Sequence, residues 1–174
     1  KKLIDLYYRL KLDGISYARR KGVKIGHDCR IYATSFGSEP WLIEIGDRVT
    51  ITSGVRILTH DGSTWLMRDE IGRRYKYNRV QIGNDVFIGI NSIIMPGVII
   101  ENQVIVAAGS VVTKSIPSGV IVGGNPGKII GDYSEYKRNA LESYVSDSDM
   151  DYNLDYKSRI KKVIDHNAKK FLEK

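Results

Sequence analysis

From Val80 to Thr113 a branched aliphatic residue returns at every sixth position: Ile82, Ile88, Ile94, Ile100, Val106 and Val112. Two positions before each stands a second small or aliphatic residue: Val80, Val86, Ser92, Val98, Val104 and Ser110. Mostly small or turn-tolerant residues follow, as at Gly83, Gly89 and Ala107. Such a period matches neither an amphipathic helix nor a hairpin strand. It matches solenoids in which each unit supplies one short strand and one corner. The pattern predicts an all-β core, a parallel β-helix whose aliphatic side chains point inward and stack one coil apart. Glycines suit its corners, where φ > 0 or close backbone approach excludes a Cβ.

The repeats begin near Val23 with Ile25-Gly26 and Ile31, then pause at an irregular turn from Thr34 to Pro40. They resume in a new register at Ile45, Ile51 and Ile57, backed by Ile43, Val49 and Val55. A second break, between Leu58 and Arg79, is an excursion over residues 59–79 carrying Trp65, Met67, Tyr75 and Tyr77. Long ordered excursions from a regular scaffold are usually functional. The repeats fade through Val120 and Val122 and end at the turn cluster Gly123-Gly124-Asn125-Pro126-Gly127. Flanking this core, the pattern predicts an amphipathic helix to about Leu12, ended or broken at Gly14 and covering the open edge of the first coil. It predicts two further helices, Tyr133 to Val145 (capped from Asp132) and Tyr156 to Leu172, joined by a polar linker. The expected organisation is a helical segment at 1–22, a β-helix of five coils within 23–131, and helices at 132–174.

Composition narrows the picture further. The chain has 174 residues, 17 of them glycine, and only 42% hydrophobic residues, which suits a corner-rich β architecture. Its net charge of +7 is concentrated near the termini, outside the repeats. Stacking aromatics of the RNA-binding kind and Cys/His zinc spacings are both missing, so no nucleic-acid partner is expected. A lone cysteine, Cys29, fits a reducing compartment. With no apolar run of signal-peptide or membrane-spanning character, a soluble, cytoplasmic protein is expected.

With the repeats, His60 and the segment AAGSVVTKSIPSGVIVGGNPGKII together, residues 23–131 resemble the hexapeptide-repeat acyltransferases. The nearest branch is similar to the sugar O-acetyltransferases related to maltose, galactoside and nodulation acetyltransferases, and to the xenobiotic acetyltransferases. TSFGSEPWLIEIGDRVTITSGVRILTHDGS is similar to capsule and lipopolysaccharide O-acetyltransferases. The resemblance implies a left-handed parallel β-helix and a homotrimer with active sites between subunits. The left hand comes from the family alone, since parallel crossovers in general favour the right.

The resemblance also implies roles. His60 matches the catalytic histidine that takes the acceptor's proton, and an imidazole, with an ordinary pKa of about 6.5, suits a base near neutrality. By position rather than by resemblance, Asp61, adjoining it, and Glu44, nearly one regular coil earlier, are candidates to orient the ring, with a solvated surface carboxylate as the alternative for each. The donor implied is acetyl-coenzyme A, with no metal. Gly89 and Ile90 face its thioester, the Ile90 N–H serving the oxyanion. Phe87 walls the tunnel, Ala108 and Gly109 leave room for the pantetheine arm, Thr113 and Lys114 meet phosphates, Lys128 adds another phosphate contact, and Pro126 packs on adenine. Trp65, Tyr75 and Tyr77 are candidates for stacking on the acceptor, a sugar, sugar nucleotide or glycan. Thr59-His60-Asp61-Gly62 departs from the THP or HP of maltose-type and antibiotic-type members, so their acceptors are not carried over.

Other readings compete with this one. A carbonic anhydrase on the same scaffold needs three histidine ligands, and the only histidines are His27, His60 and His166, the last outside the repeats. A non-enzymatic β-solenoid binding module has no need of His60 or of the cofactor-type tail. N-acetylation of a nucleotide-linked amino sugar is the alternative within the enzyme class.

Overall fold

A computed structural model of the chain describes Tyr7 and residues 14–171. It divides into two units, residues 1–134 and 135–174. In the first unit, short strands run through three parallel sheets in fixed rotation. The first sheet holds Lys24–Ile25, Ile43–Ile45, Val80–Ile82 and Ile99–Ile100. The second holds Arg30–Ile31, Thr50–Ile51, Val86–Ile88, Val104–Val106 and Val120–Gly123, and the third Arg56–Ile57, Ile93–Ile94 and Val111–Val112.

Register puts like over like. Ile45, Ile82 and Ile100 align in the first sheet; Ile51, Ile88, Val106 and Val122 in the second; Ile57, Ile94 and Val112 in the third. Every inward position picked out between Val80 and Val112 is buried. Each such aliphatic side chain contributes about 1.5–3 kcal/mol by leaving water. Ser92 and Ser110, also buried, satisfy their hydroxyls by donating to Ala107 O at 3.1 and 2.6 Å.

The corner between the first and second sheets is a ladder of side chains. Asp47 Oδ1 accepts from His27 N (2.7 Å), Asn84 Oδ1 from Asp47 N (2.8 Å) and Asn102 Oδ1 from Asn84 N (2.7 Å). Each coil thereby satisfies an amide that the turn leaves unpaired. Gly46 precedes this corner because a Cβ there would lie 2.8 Å from Gly83 O. Positive φ falls instead on Arg48 and Asp85, at 53° and 57°.

Both ends of the coil are covered. The chain forms a helix at Gly14–Lys21. A Cβ on Gly14 would meet Ile31 O at 1.8 Å, and this close approach is what requires the glycine. Ala18 is fully buried, and Arg19 Nη2 donates to Ile25 O and Gly26 O on the open edge of the first coil. The helix expected up to Leu12 lies outside the described residues, save Tyr7. Beyond the Gly123–Gly127 turn the chain forms a further strand, Lys128–Asp132, antiparallel to Val120–Gly123. The sequence pattern did not signal it, because consecutive exposed Ile129 and Ile130 show no alternation.

The second unit carries the rest of the helix Tyr133–Ser143, then Tyr156–Val163, with Asp155 Oδ1 accepting from Ser158 N at the start of the latter. This last helix stops well before the expected Leu172. Asp165 accepts from Asn167 N (2.8 Å), a local turn that competes with helix continuation, and His166 is not helical. Among the described residues no helix is long and apolar enough to cross a membrane.

Candidate active site at the root of the excursion

His60 stands where the chain leaves the third sheet. Asn78 N donates to Thr59 O (2.8 Å), Asp61 N donates to Lys76 O (3.0 Å), and His60 bridges Tyr77 in antiparallel register. The two stems of the excursion are thus zipped together, and the histidine sits at their base on a fixed backbone. Its side chain is 38% exposed.

The carboxylate at His60 belongs to Glu39. His60 Nδ1 lies 2.9 Å from Glu39 Oε2, and the buried Thr59 hydroxyl donates to the same oxygen at 2.7 Å. Burial opposes ionisation of Glu39, but the bonds from Thr59 and His60 outweigh it and hold its carboxyl below the ordinary value. An ionised carboxylate can only accept, so in the neutral imidazole Nδ1 carries the proton and Nε2 keeps its lone pair. This tautomer is the one a general base needs.

Neither expected orienter bonds to the imidazole. Asp61 caps the 3-10 turn Gly62–Leu66, accepting from Ser63 N (3.0 Å) and Ser63 Oγ (2.6 Å). Glu44 faces outward and pairs with Lys24 (2.7 Å) and Arg79 (3.5 Å). The cause lies in coil length. Regular coils repeat after 18 residues, as between Asn84 and Asn102, which points from His60 back toward Glu44. The first coil is longer, and Glu39 stands 21 residues before His60. Ser35 opposite Arg56 has the same offset. Gly37, at φ 64°, lets the intervening turn press on the third sheet, since a Cβ there would lie 3.0 Å from Thr59 Oγ1. The step from Ile31 to Ile51, 20 residues, already contains most of this extra length.

Residues expected to hold the donor fall on two edges of the coil. Gly89-Ile90, Ala108-Gly109 and the Gly124–Pro126 turn follow the edge between the second and third sheets. Gly109 N donates to Ile90 O (2.8 Å) and Val111 N to Gly124 O (3.0 Å). Gly89 is buried, with Ala108 N 2.5 Å from where a Cβ would sit, so its glycine is already required by coil packing. The Ile90 N–H has no backbone partner among the described residues. Phe87, 40% exposed, projects from the second sheet beside this edge, and Ala108, Gly109 and Pro126 leave it open. Thr113 and Lys114 are exposed on the other edge, between the third and first sheets, which is also the edge of His60. Lys128 is exposed at the start of the antiparallel strand. Within one chain the third sheet therefore separates His60 from Ile90.

The excursion aromatics form a row. Tyr77 lies 6.1 Å from the His60 ring, and Tyr75 stacks on Tyr77 at 6.3 Å with 8° between planes. Arg73 lies over Tyr75 at 4.5 Å and over Trp65 at 4.7 Å, and Arg68 lies over Trp65 at 4.3 Å. The sequence pattern does not signal these cation–π contacts, because they depend on the hairpin pairing Arg68–Asp69 with Gly72–Arg73.

Residues 79–114 match the family model for the bacterial transferase hexapeptide (six repeats). The chain is 51% identical to Protein CapG of Staphylococcus aureus over 138 residues, covering 78% of this chain and 80% of that protein. It is 32% identical over 97 residues to the galactoside O-acetyltransferase of Escherichia coli, covering 56% of this chain and 47% of that enzyme. Its fold matches the hexapeptide-repeat acetyltransferase VCA0836 of Vibrio cholerae, with TM-score 0.61, 24% identity, and coverage of 76% and 88% of the two chains. That enzyme has also been solved with acetyl-coenzyme A, where the match has TM-score 0.54, 24% identity, and coverage of 76% and 84%. Repeat, register and relatives agree: the chain belongs to the bacterial hexapeptide-repeat transferases, and to the acetyltransferases among them.

Proposed function

We propose that the protein transfers the acetyl group of acetyl-coenzyme A to a hydroxyl of a sugar or polysaccharide precursor, with His60 as general base. The observation that carries this is the Glu39–His60 pair at the foot of an exposed aromatic row. His60 Nε2 takes the proton of the acceptor hydroxyl as its oxygen attacks the thioester carbonyl. The Ile90 N–H donates to the oxyanion of the tetrahedral intermediate. Collapse expels the coenzyme A thiolate, and His60 returns the proton to it. Transfer is direct: Cys29 is buried, its Sγ directed at His27 O and Gly46 O, so it does not serve as a nucleophile.

His60 and Ile90 lie on different edges of one coil. The reading therefore includes a homotrimer of left-handed parallel β-helices, in which His60 of one subunit meets the Ile90 edge of the next. Lys114 and Lys128, both exposed, supply cations for the donor's phosphates, and Thr113 a hydroxyl. Release of free thiol from acetyl-coenzyme A, followed across a panel of sugars and sugar nucleotides, tests the chemistry. Acceptor-dependent release is expected, and its absence with every acceptor overturns the reading. Light scattering tests the assembly, and a monomer at micromolar concentration overturns the shared site.

A further inference from the structure

We infer that Arg68 and Arg73 form an anion subsite for the acceptor, reading a phosphate or carboxylate at a distance from the reacting hydroxyl. The inference rests on the acetyl-transfer reading for the word acceptor, and on the excursion's own geometry for the rest. Arg68 and Arg73 face one another across the short hairpin, and both guanidinium groups lie over the Trp65 ring. Two like charges held together repel unless an anion is shared between them.

Of the acids nearby, two are otherwise engaged and, among the described residues, Glu70 forms no ion pair with either arginine. Asp69 is paired with Arg74, and Asp61 is taken up by Ser63. Among the described residues, neither Arg68 nor Arg73 has a carboxylate partner. Arg68 Nε donates to Trp65 O at 3.3 Å, and the residue is exposed, its terminal nitrogens making no hydrogen bond among the described residues. Arg73 Nε is buried and has no hydrogen-bond partner among the described residues, an unusual state for a charged donor. Planar guanidiniums fixed by stacking are pre-organised forks for phosphate and carboxylate oxygens.

Position supplies the link to chemistry. From Arg73 the row passes through Tyr75 and Tyr77 to His60 in contacts of 4.5, 6.3 and 6.1 Å. Tyr75 and Tyr77 are 61% and 52% exposed, so a sugar body can lie along them with its hydroxyl at His60. Its anion then falls at the arginine pair. A neutral mono- or disaccharide leaves that pair unused.

Trp65 reports on the site directly. In a Trp41→Phe background at low ionic strength, its emission is titrated with inorganic pyrophosphate, glucuronate and glucose. A saturable change is expected with a charged probe and not with glucose. Stronger pyrophosphate binding identifies a phosphate, and stronger glucuronate binding a carboxylate. Arg68→Gln/Arg73→Gln is expected to weaken the response at least about tenfold, as loss of charge-assisted bonds predicts. Arg68→Lys/Arg73→Lys restores part of it and guards against simple loss of the hairpin. An equal response to glucose, no saturable response to either charged probe, or an unchanged response in the Gln pair overturns the subsite. Thiol release separates the two ideas. No anion response with acetyl transfer intact removes the subsite alone, whereas an anion response without transfer to any acceptor removes the acetyl-transfer reading alone.

Discussion

The coils from Val80 to Val112 and the excursion at 59–79 solve opposite problems with the same chain. In the coils each side chain pointing inward meets its own kind one coil away, and Ile88, Ile94 and Val106 are wholly buried. In the excursion the large apolar groups point out. Trp65, Leu66, Ile71 and Tyr75 are all more than half exposed, and order comes from a zipped stem, a capped 3-10 turn and arginines laid over rings. A coil stacked at fixed spacing leaves little room to vary a site. An excursion can vary freely because coil register does not depend on it: Ile57 still aligns with Ile94 across its whole length. The coils build the scaffold, and the excursion displays the large side chains that the scaffold would bury.

The largest effect expected from breaking this division is at the root of the excursion. His60→Ala lowers kcat by about 10²–10⁴-fold, the range for losing a general base, while the KM for acetyl-coenzyme A stays nearly constant. Steady-state kinetics at pH 7.5 check it, and near-normal turnover by the variant excludes His60 as the base.

Stability tells the two regions apart by the same chemical change. Ile94→Ala in the coil is expected to cost about 2–5 kcal/mol, through lost transfer energy and a cavity. Ile71→Ala, at a position 86% exposed in the excursion, is expected to stay within about 0.5 kcal/mol. Urea unfolding of both variants measures the difference. Equal losses would mean that the excursion is part of the core.

That contrast also sets what the sequence made legible. Inward positions recur at fixed spacing, so the sheets, the stacking and the place where the excursion leaves were all visible in it. Glu39 was not, because it lies in the first coil, whose length departs from the 18-residue repeat. Counting 18 residues back reaches the neighbourhood of Glu44, whose side chain faces outward to Lys24. The Lys128–Asp132 strand and the arginine–aromatic row escaped for a related reason. Both depend on antiparallel pairings that no periodicity announces.

Glu39 sharpens the comparison, because it is a coil-turn residue serving an excursion residue. Glu39→Gln is expected to lower kcat on the order of 10²-fold by disturbing the tautomer and aim of His60, with acceptor KM little changed. Asp61→Asn and Glu44→Gln, offered as controls, leave kcat within about twofold. A pH signature accompanies this. The folded Glu39 carboxyl is held below its ordinary value, burial opposing and the Thr59 and His60 bonds prevailing. Its contribution to stability is therefore complete above the ordinary carboxylate range and is lost as pH falls through the depressed value. Unfolding followed from pH 7 downward is expected to show this acid-linked loss in the wild type and less of it in Glu39→Gln. An identical acid profile in both excludes a stabilising Glu39 carboxylate.

The smallest effect belongs to the exposed edge next to His60. Lys114 and Thr113 lie on the His60 edge of the coil, in solvent, where a cation–phosphate contact is worth about 1 kcal/mol. Lys114→Ala is thus expected to raise the KM for acetyl-coenzyme A about fivefold, which is what that free energy amounts to. The contact acts equally on ground state and transition state, so kcat is unchanged. Thr113→Ala follows the same direction with a smaller shift, since a neutral hydroxyl lacks the charge. Added salt is expected to raise the wild-type KM toward that of Lys114→Ala, because an exposed contact is screened. If kcat collapses in Lys114→Ala while KM holds, this lysine acts on the reacting atoms, and the division between binding edge and catalytic root is drawn in the wrong place.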